Sequence, residues 1–590
     1  MNRARLFIRP VIAAAMLAII AFAVPLTADN KSGSGRFDLV ETSIPAIQQA
    51  IQNHLITGEQ LVQMYLNRIA AYDGKNTTTH LNSYMHVSER ALHDARESDQ
   101  GRAPGYQKRA LFGIPVILKD NVDTKDMPTT AGSVAFNGSM PQSDAFVTRK
   151  LREAGATIIG KATMTEFANF LTNGMPAGYN SMAGYGFNPY DPRPDPRHAR
   201  DGLGRFFDDG RPALTPGGSS SGPGIAVAAN LAAVGIGTET SGSILSPGTA
   251  NGLVGIKPTV GLISRDGIIP ITADQDTAGP LARSVTDAAI VLGAIAGFDP
   301  NDPATDACLT PGNCYSDYTQ FLDPNALLGA RIIVPIFPAN RAAVMNNAIN
   351  VLRAHGAIVD VVSVNLAAGQ LPGCVSRPPA ANYPPPETPQ PGQTLRCSTV
   401  LNYGFKRDLN QYIADHVRQA FPIKSLADVV AFNIAFGPGA TKYDQDLAIF
   451  SQMFDTAPDS ADTGRYKRDR AEDIVRSRGA ILALLNGPDG IAGTADDYDA
   501  FLASGNNLAG PPAKAGFPSI VVPGGTFQNV VNPPFPAGFN AKDGPAGVTF
   551  SGRAFSEPRL IALAYAFEQV THYRFQPASA PPLPTDVVIK

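Results

Sequence analysis

Apolar positions along the 590-residue chain fall into three patterns. The first is one nearly unbroken run, Val11 to Ala23, preceded by Arg3, Arg5 and Arg9. The second is helical. Leu61, Met64, Tyr65 and Ile69 recur at three- and four-residue spacing, which predicts an amphipathic helix. Thr57 and Gln60 form a capping-box pattern at its start. Ser43, just ahead of Pro45, is a candidate N-cap for an earlier helix. The third pattern is a set of short continuous apolar runs at 114–118, 156–159 and 233–237, which predict buried strands. Residues 225–231 are small and apolar, suited to a helix packed closely on a sheet. Near the end, 547–551 reads as a strand. Ser556 is a candidate cap for a helix running to about Thr571, with Pro558 in its first turn. Strands alternating with helices predict an α/β fold with a largely parallel or mixed sheet covered on both faces.

Composition narrows the class. Hydrophobic residues make up 44% and charged residues 17%, which suits a well-packed globular enzyme. The formal net charge of −3 gives no electrostatic case for nucleic acid or an anionic membrane as partner. The Val11–Ala23 run is short for a membrane span of about 20 residues. With its preceding arginines and the small-x-small patterns near Ala21-Phe-Ala23 and Thr27-Ala28, it reads as a signal peptide over 1–28. That predicts a periplasmic or secreted protein, with no membrane attachment once the signal is cleaved. Residues 36–578 then read as a single domain with insertions near 193–213, 371–397 and 486–499.

Four cysteines, Cys308, Cys314, Cys374 and Cys397, are an even number in a chain read as exported, which favours disulfides. Three pairings are open. The local Cys308–Cys314 and Cys374–Cys397 pairing is the simplest, because the first pair flanks a Pro311-Gly312 turn and the second brackets a proline-rich stretch. Zinc is the rival, but the spacings match no common finger and no histidine lies close. Asp489, Asp496, Asp497 and Asp499 could offer oxygens to calcium, although their spacing is not that of an EF-hand and a solvated acidic turn is the preferred reading.

The chemistry lies in three segments. Thr215-Pro-Gly-Gly-Ser-Ser-Ser-Gly222 and Gly237-Thr-Glu-Thr-Ser-Gly-Ser-Ile244 surround several hydroxyls with glycine, one βα unit apart. Glycine admits a ligand close to backbone N–H groups. Serine in such a setting becomes a nucleophile when a base is near and donors await an oxyanion. Upstream, Gly113-Ile-Pro-Val-Ile-Leu-Lys-Asp-Asn121 places Lys119 at the exit of an apolar strand. Two serine-rich glycine turns and one lysine, with no suitably placed histidine, point to Ser–Ser–Lys acyl transfer.

These segments, in this order and spacing, resemble the amidase signature family. The resemblance continues through Asn251–Pro270 and Gln275–Ala288, and two later stretches, Phe405–Tyr412 and Ala515–Gly525, resemble its bacterial peptide amidase branch. The resemblance implies the amidase-signature fold, a large mixed twisted β-sheet sandwiched between α-helices. It implies amide hydrolysis to acid plus ammonia or amine, without metal or organic cofactor. It makes Ser243 the nucleophile, Ser219 the bridging serine behind a cis Gly218–Ser219 bond, and Lys119 the base. Thr240, Ser241 and Gly242 are implied as oxyanion or substrate-binding positions, along with the Ser243 amide. Ser241 departs from the glycine or aspartate common in relatives. Substrate is implied to be a small-molecule or peptide amide. Two alternatives remain at this point: an α/β-hydrolase elbow on Gly218-Ser-Ser-Ser-Gly222 with Ser220 as nucleophile, and a non-catalytic amidase-like binding protein.

Overall fold

The computed structural model describes residues 35–101, 108–368, 370–371 and 398–590. Among them, eleven strands form one mixed sheet. In chain order they are β1 Tyr84–Val87, β2 Pro115–Lys119, β3 Thr157–Ala162, β4 Val234–Glu239, β5 Val254–Lys257 and β6 Thr277–Ala282, then β7 Arg331–Val334, β8 Ile358–Val361, β9 Ala500–Ser504, β10 Ser519–Phe527 and β11 Gly544–Ser551. Their order across the sheet is β8-β7-β9-β11-β10-β5-β6-β4-β2-β3-β1. Both flanks carry a parallel trio: β8, β7 and β9 at one side, β4, β2 and β3 at the other. The strands between them, and the edge strand β1, pair antiparallel. β2, β3 and β4 are buried along their whole length, as strands covered on both faces must be.

Helices flank the sheet. Val285–Ile295, Ala342–Ala354 and Glu557–Thr571 pack on one another and on its strands. Helix Ser221–Ala228 is buried at all eight residues. Its small residues are a packing requirement: a Cβ on Gly222 would lie 2.3 Å from the Thr163 carbonyl oxygen. The caps predicted at Ser43 and Thr57 both form, the second as a full capping box with Gln60. Ser556 does not cap. Its hydroxyl donates to the Arg553 carbonyl at 2.7 Å, so the helix Glu557–Thr571 starts without a side-chain cap. Among the described residues no helix is long and apolar enough to cross a membrane. The proposed signal peptide lies outside the described residues.

The 193–213 segment is a cross-linked knot. Arg197 is bonded to Asp195, lies 3.8 Å from the Phe207 ring centroid, and donates to the Pro533 carbonyl at 2.9 Å. Arg193 donates to the Phe539 carbonyl at 2.8 Å. The segment is therefore fastened to the loop after β10. In the 486–499 segment, Asp497 meets Arg553 at 3.1 Å and Asp499 meets Arg559 at 2.9 Å. These carboxylates serve arginines and loop amides. Cys308 and Cys314 are bonded to each other, with Cα atoms 5.1 Å apart. Cys374 and Cys397 lie outside the described residues, as does most of the 371–397 insertion.

Arg68, in helix Gly58–Tyr72, ties the C-terminal tail to the body. It is fully buried and donates to the carbonyls of Ala229, Asn230, Ala580 and Pro581, and to the buried Asp586 carboxylate at 2.5 Å. Removing one partner of such a pair strands the other charge in a medium that solvates it poorly. Arg68→Met should cost about 3–5 kcal/mol in a denaturant unfolding experiment. Arg68→Met/Asp586→Leu should recover part of that loss.

Candidate active site

β2 and β4 run parallel and adjacent, with Leu118 opposite Ile236. Their carboxyl ends therefore release Lys119 and Thr238 at the same edge. Lys119 is fully buried. Its Nζ hydrogen-bonds Ser219 Oγ at 2.8 Å, Thr238 Oγ1 at 2.9 Å and the Thr238 carbonyl at 3.2 Å. Asn121 Nδ2 donates to Thr238 Oγ1 at 3.1 Å and fixes that hydroxyl. Every partner of the amine is uncharged. Burial, the dominant influence, lowers the Lys119 pKa from 10.5 to about 7, against the opposing pull of Asp276 and Glu239.

The serine segment is held by its backbone. The Gly218–Ser219 peptide is cis. Gly217 has φ +68°, and a Cβ there would sit 2.6 Å from the Ser246 carbonyl oxygen, so only glycine fits. The Ser219 carbonyl accepts from the Thr165 amide at 3.1 Å. Ser220 Oγ is sandwiched by Thr238, donating to its carbonyl at 3.1 Å and accepting from its amide at 3.2 Å. Ser221 Oγ donates to the Gly217 carbonyl at 2.6 Å.

Ser243 lies on the loop after β4. The two segments meet through the Ser220 amide, which donates to the Ser243 carbonyl at 3.2 Å. Among the described residues the Ser243 hydroxyl has no hydrogen bond to Ser219 or any other group; the link between the segments is made by backbone. Ser243 is 7% exposed, whereas Lys119, Ser219 and Ser220 are at 0%. Of these four side chains, only Ser243 can be met from outside.

Glu239, the last residue of β4, shapes that loop. Its carboxylate accepts from the amides of Gly242 at 2.6 Å, Ile244 at 2.7 Å and Leu245 at 3.0 Å. Gly242, expected at an oxyanion or substrate-binding position, directs its N–H to Glu239 in this structure. The position needs glycine for another reason, φ +86°. The amides of Ser241 and Ser243 have no protein partner among the described residues. Thr240 is held through its side chain, which donates to Asp276 Oδ1 at 2.5 Å. Asp276 Oδ2 in turn accepts from the Ile271 and Thr272 amides at 2.8 and 3.0 Å. Burial pushes the Asp276 carboxyl up to about 7, while the Thr240 hydroxyl, the Ile271 amide and Arg265 act to lower it. Gln275 Nε2 donates to the Thr240 carbonyl at 3.3 Å.

The Amidase family profile matches residues 60–196 and 209–372, more than half of the chain. The protein belongs to the amidase signature family. A probable amidase of Arabidopsis thaliana is 34% identical over 551 residues, spanning 92% of this chain and 93% of its own. The crystal structure of an amidase family protein from Bacillus anthracis is 29% identical with a TM-score of 0.72, and the match covers 91% of this chain and 92% of that one. The X-ray structure of native peptide amidase from Stenotrophomonas maltophilia is 36% identical with a TM-score of 0.73, and the match covers 92% of this chain and 99% of that one. The chain is an amidase, a hydrolase of amide bonds, and its mixed sheet between helices is that of the family.

Four residues of this amidase that the motifs did not single out complete the site: Asn121, Thr238, Glu239 and Asp276. Each sits inside or beside a recognisable motif, so a polar signal existed. Asn121 and Thr238 are brought together by strand pairing and Thr240 and Asp276 from 36 positions apart, which no spacing rule reveals, whereas Glu239 takes amides from its own loop.

Glu239→Gln leaves one oxygen to serve three amides and points an NH2 group at the rest. The variant should lose about 1.5–3 kcal/mol of stability in denaturant unfolding. Its amide turnover should fall about 10- to 100-fold through displacement of the Ser243 loop, measured as ammonia release.

Proposed function

We propose that this amidase hydrolyses carboxamides, with C-terminally amidated peptides the favoured class, using Ser243 as nucleophile, Ser219 as proton relay and Lys119 as base. The observation that carries the reading is the buried Lys119 amine, held 2.8 Å from Ser219 Oγ among uncharged partners. A neutral amine has two N–H groups and one lone pair. The Thr238 carbonyl can only accept, so an N–H goes there, and the lone pair is free to take the Ser219 proton. Ser219 can then take the Ser243 proton as the Ser243 oxygen bonds the carbonyl carbon. The tetrahedral oxyanion would be met by the Ser241 and Ser243 amides; one such donor is typically worth about 2.7–4 kcal/mol. Collapse breaks the C–N bond, and the proton stored on Lys119 returns through Ser219 to the departing nitrogen. Water, deprotonated by the same relay, then releases the acid and restores Ser243.

Ser220 is a poor candidate for the nucleophile. Its hydroxyl is buried and bonded on both sides by Thr238, which argues against the elbow alternative. Preference for peptide amides is supported by the likeness to the Stenotrophomonas maltophilia peptide amidase over almost the full length of both chains. We also propose export. The arginine-flanked apolar run at the N-terminus supports it, and so does the Cys308–Cys314 bond, since such bonds persist in oxidising compartments. N-terminal sequencing of protein recovered from outside the cytoplasm should give a start near Val24 or Asp29; a chain that begins at Met1 would refute cleavage.

The mechanism predicts a pH profile. Lys119 works only when neutral, so kcat/KM should rise with pH through about 7 and then level. A phosphonylating serine probe should label Ser243; an adduct on Ser220 would overturn the assignment. Lys119→Ala and Ser243→Ala should each lower turnover by at least about 10^3-fold, and the double variant should be little worse than Ser243→Ala alone, because the parts act as one unit. Near-native turnover by folded Lys119→Ala would sink the relay.

A further inference from the structure

The parallel trio β8, β7 and β9 ends at one edge of the sheet, and the chain after each strand leaves a crevice of about 320 Å3 between them. Carboxyl ends of parallel strands are where open α/β sheets receive ligands. The volume falls in the range of small-molecule sites. Ile336 and Phe337, after β7, form one wall; Ala503 and Leu508, at and after β9, form the other. Ile336 is 56% exposed at the mouth, an apolar side chain held in water. Asn365 and Asn507, both exposed, supply polar atoms at the rim.

The crevice shares a wall with the active site. The chain from Ser504 to Ala509 lines it on one flank and packs against the Ser243 loop on the other. A Cβ built on Gly242 would lie 3.5 Å from Asn506 Nδ2 and 3.6 Å from Ala509 Cβ. Ala509 also packs with Leu245 and Val521, directly beyond the loop that carries Ser243. A substrate chain leading along this wall from a carbonyl placed at the Ser243 hydroxyl would pass the exposed Asn506 and Asn507, whose carboxamides can both donate to and accept from a peptide backbone. It would then reach an apolar cavity.

We infer that this crevice is an acyl-side subsite, which takes an apolar side chain from the last two residues of a C-terminally amidated peptide. The inference rests on the carboxamide reading above and names what that reading leaves open, the residue selected. Nothing in the proton relay touches Ile336, Phe337, Asn507 or Leu508, so the subsite can be altered without altering the chemistry.

The test compares kcat/KM for N-acetyl-Gly-Phe-amide and N-acetyl-Phe-Gly-amide with that for N-acetyl-Gly-Gly-amide. The native enzyme should favour at least one phenylalanine substrate by about tenfold or more, the scale on which a hydrophobic pocket discriminates. Leu508→Trp, which fills the crevice from a half-buried position, should erase that preference through a higher KM. It should leave Gly-Gly-amide within about threefold, since a lost uniform binding contact raises KM without changing kcat. Leu508→Ala, which enlarges the crevice without crowding, should shift the preference between phenylalanine and leucine substrates and guards against misfolding of the tryptophan variant. Equal kcat/KM for all three amides in the native enzyme, or a preference that neither variant moves, would overturn the subsite while leaving the amidase reading intact. Absence of turnover on all three by folded native enzyme would overturn both.

Discussion

The active site depends on one costly placement, an amine in a dry position with no carboxylate bonded to it. The neighbouring strand offers the contrast. Lys161, on β3, is as buried as Lys119, but it faces Asp120 at 3.7 Å. Lys119 has only hydroxyls and a carbonyl within reach, and the acids that act on it, Asp276 and Glu239, do so across space. An ammonium group is poorly solvated there, so burial favours the neutral base. The surrounding strands make this possible. β2 is flanked on both sides by parallel strands, so its carboxyl end is walled in on the left and right while its last side chain emerges among loop atoms.

Around that amine, the loops are held by acids that have structural work. Glu239 gathers three amides and so shapes the loop that carries Ser243. Asp276 takes the Thr240 hydroxyl and two further amides. Its own segment is braced from outside by Asp274, which is bonded to Arg407, Tyr466 and Arg470 on two helices far along the chain. The helices Val400–His416 and Ala461–Leu485 thereby reach the Ser243 loop through a short strap. Side chains bonded to backbone amides thus hold the Ser243 loop in one shape, the kind of fixed framework that can present donors to a developing charge.

The Ser243 loop is also tied to neighbouring parts of the fold. Ser504–Ala509 is shared between the Ser243 loop and the crevice at the ends of β7, β8 and β9. The 193–213 knot joins the loop after β10 to the Lys442–Tyr443 region, where the Tyr443 hydroxyl meets Asp209. By composition alone, that segment is a polar surface loop. In the fold, Asp195, Arg197 and Arg211 are buried because arginine stacks on Phe207 and pairs with nearby aspartates.

Local chemistry fixed much of this protein before any long-range contact was considered. Short apolar runs located β2, β3 and β4 to within a few residues, because a doubly covered strand must be apolar throughout. The capping box at Thr57 and Gln60 was legible because both partners lie within four residues. Gly217 and Gly242 were legible as glycines in serine-rich turns. What only the tertiary structure decided is which of several available partners, near or far in sequence, each polar group takes. The Gly242 amide went to the Glu239 carboxylate. Ser556 turned to Arg553 and did not cap its helix. Asp276 became a partner of Thr240, and Ser504–Ala509 came to lie beside Gly242, through strand order across the sheet. Sequence dictates which groups need partners; the fold chooses them, because it alone sets which buried donors and acceptors come within about 3 Å of one another.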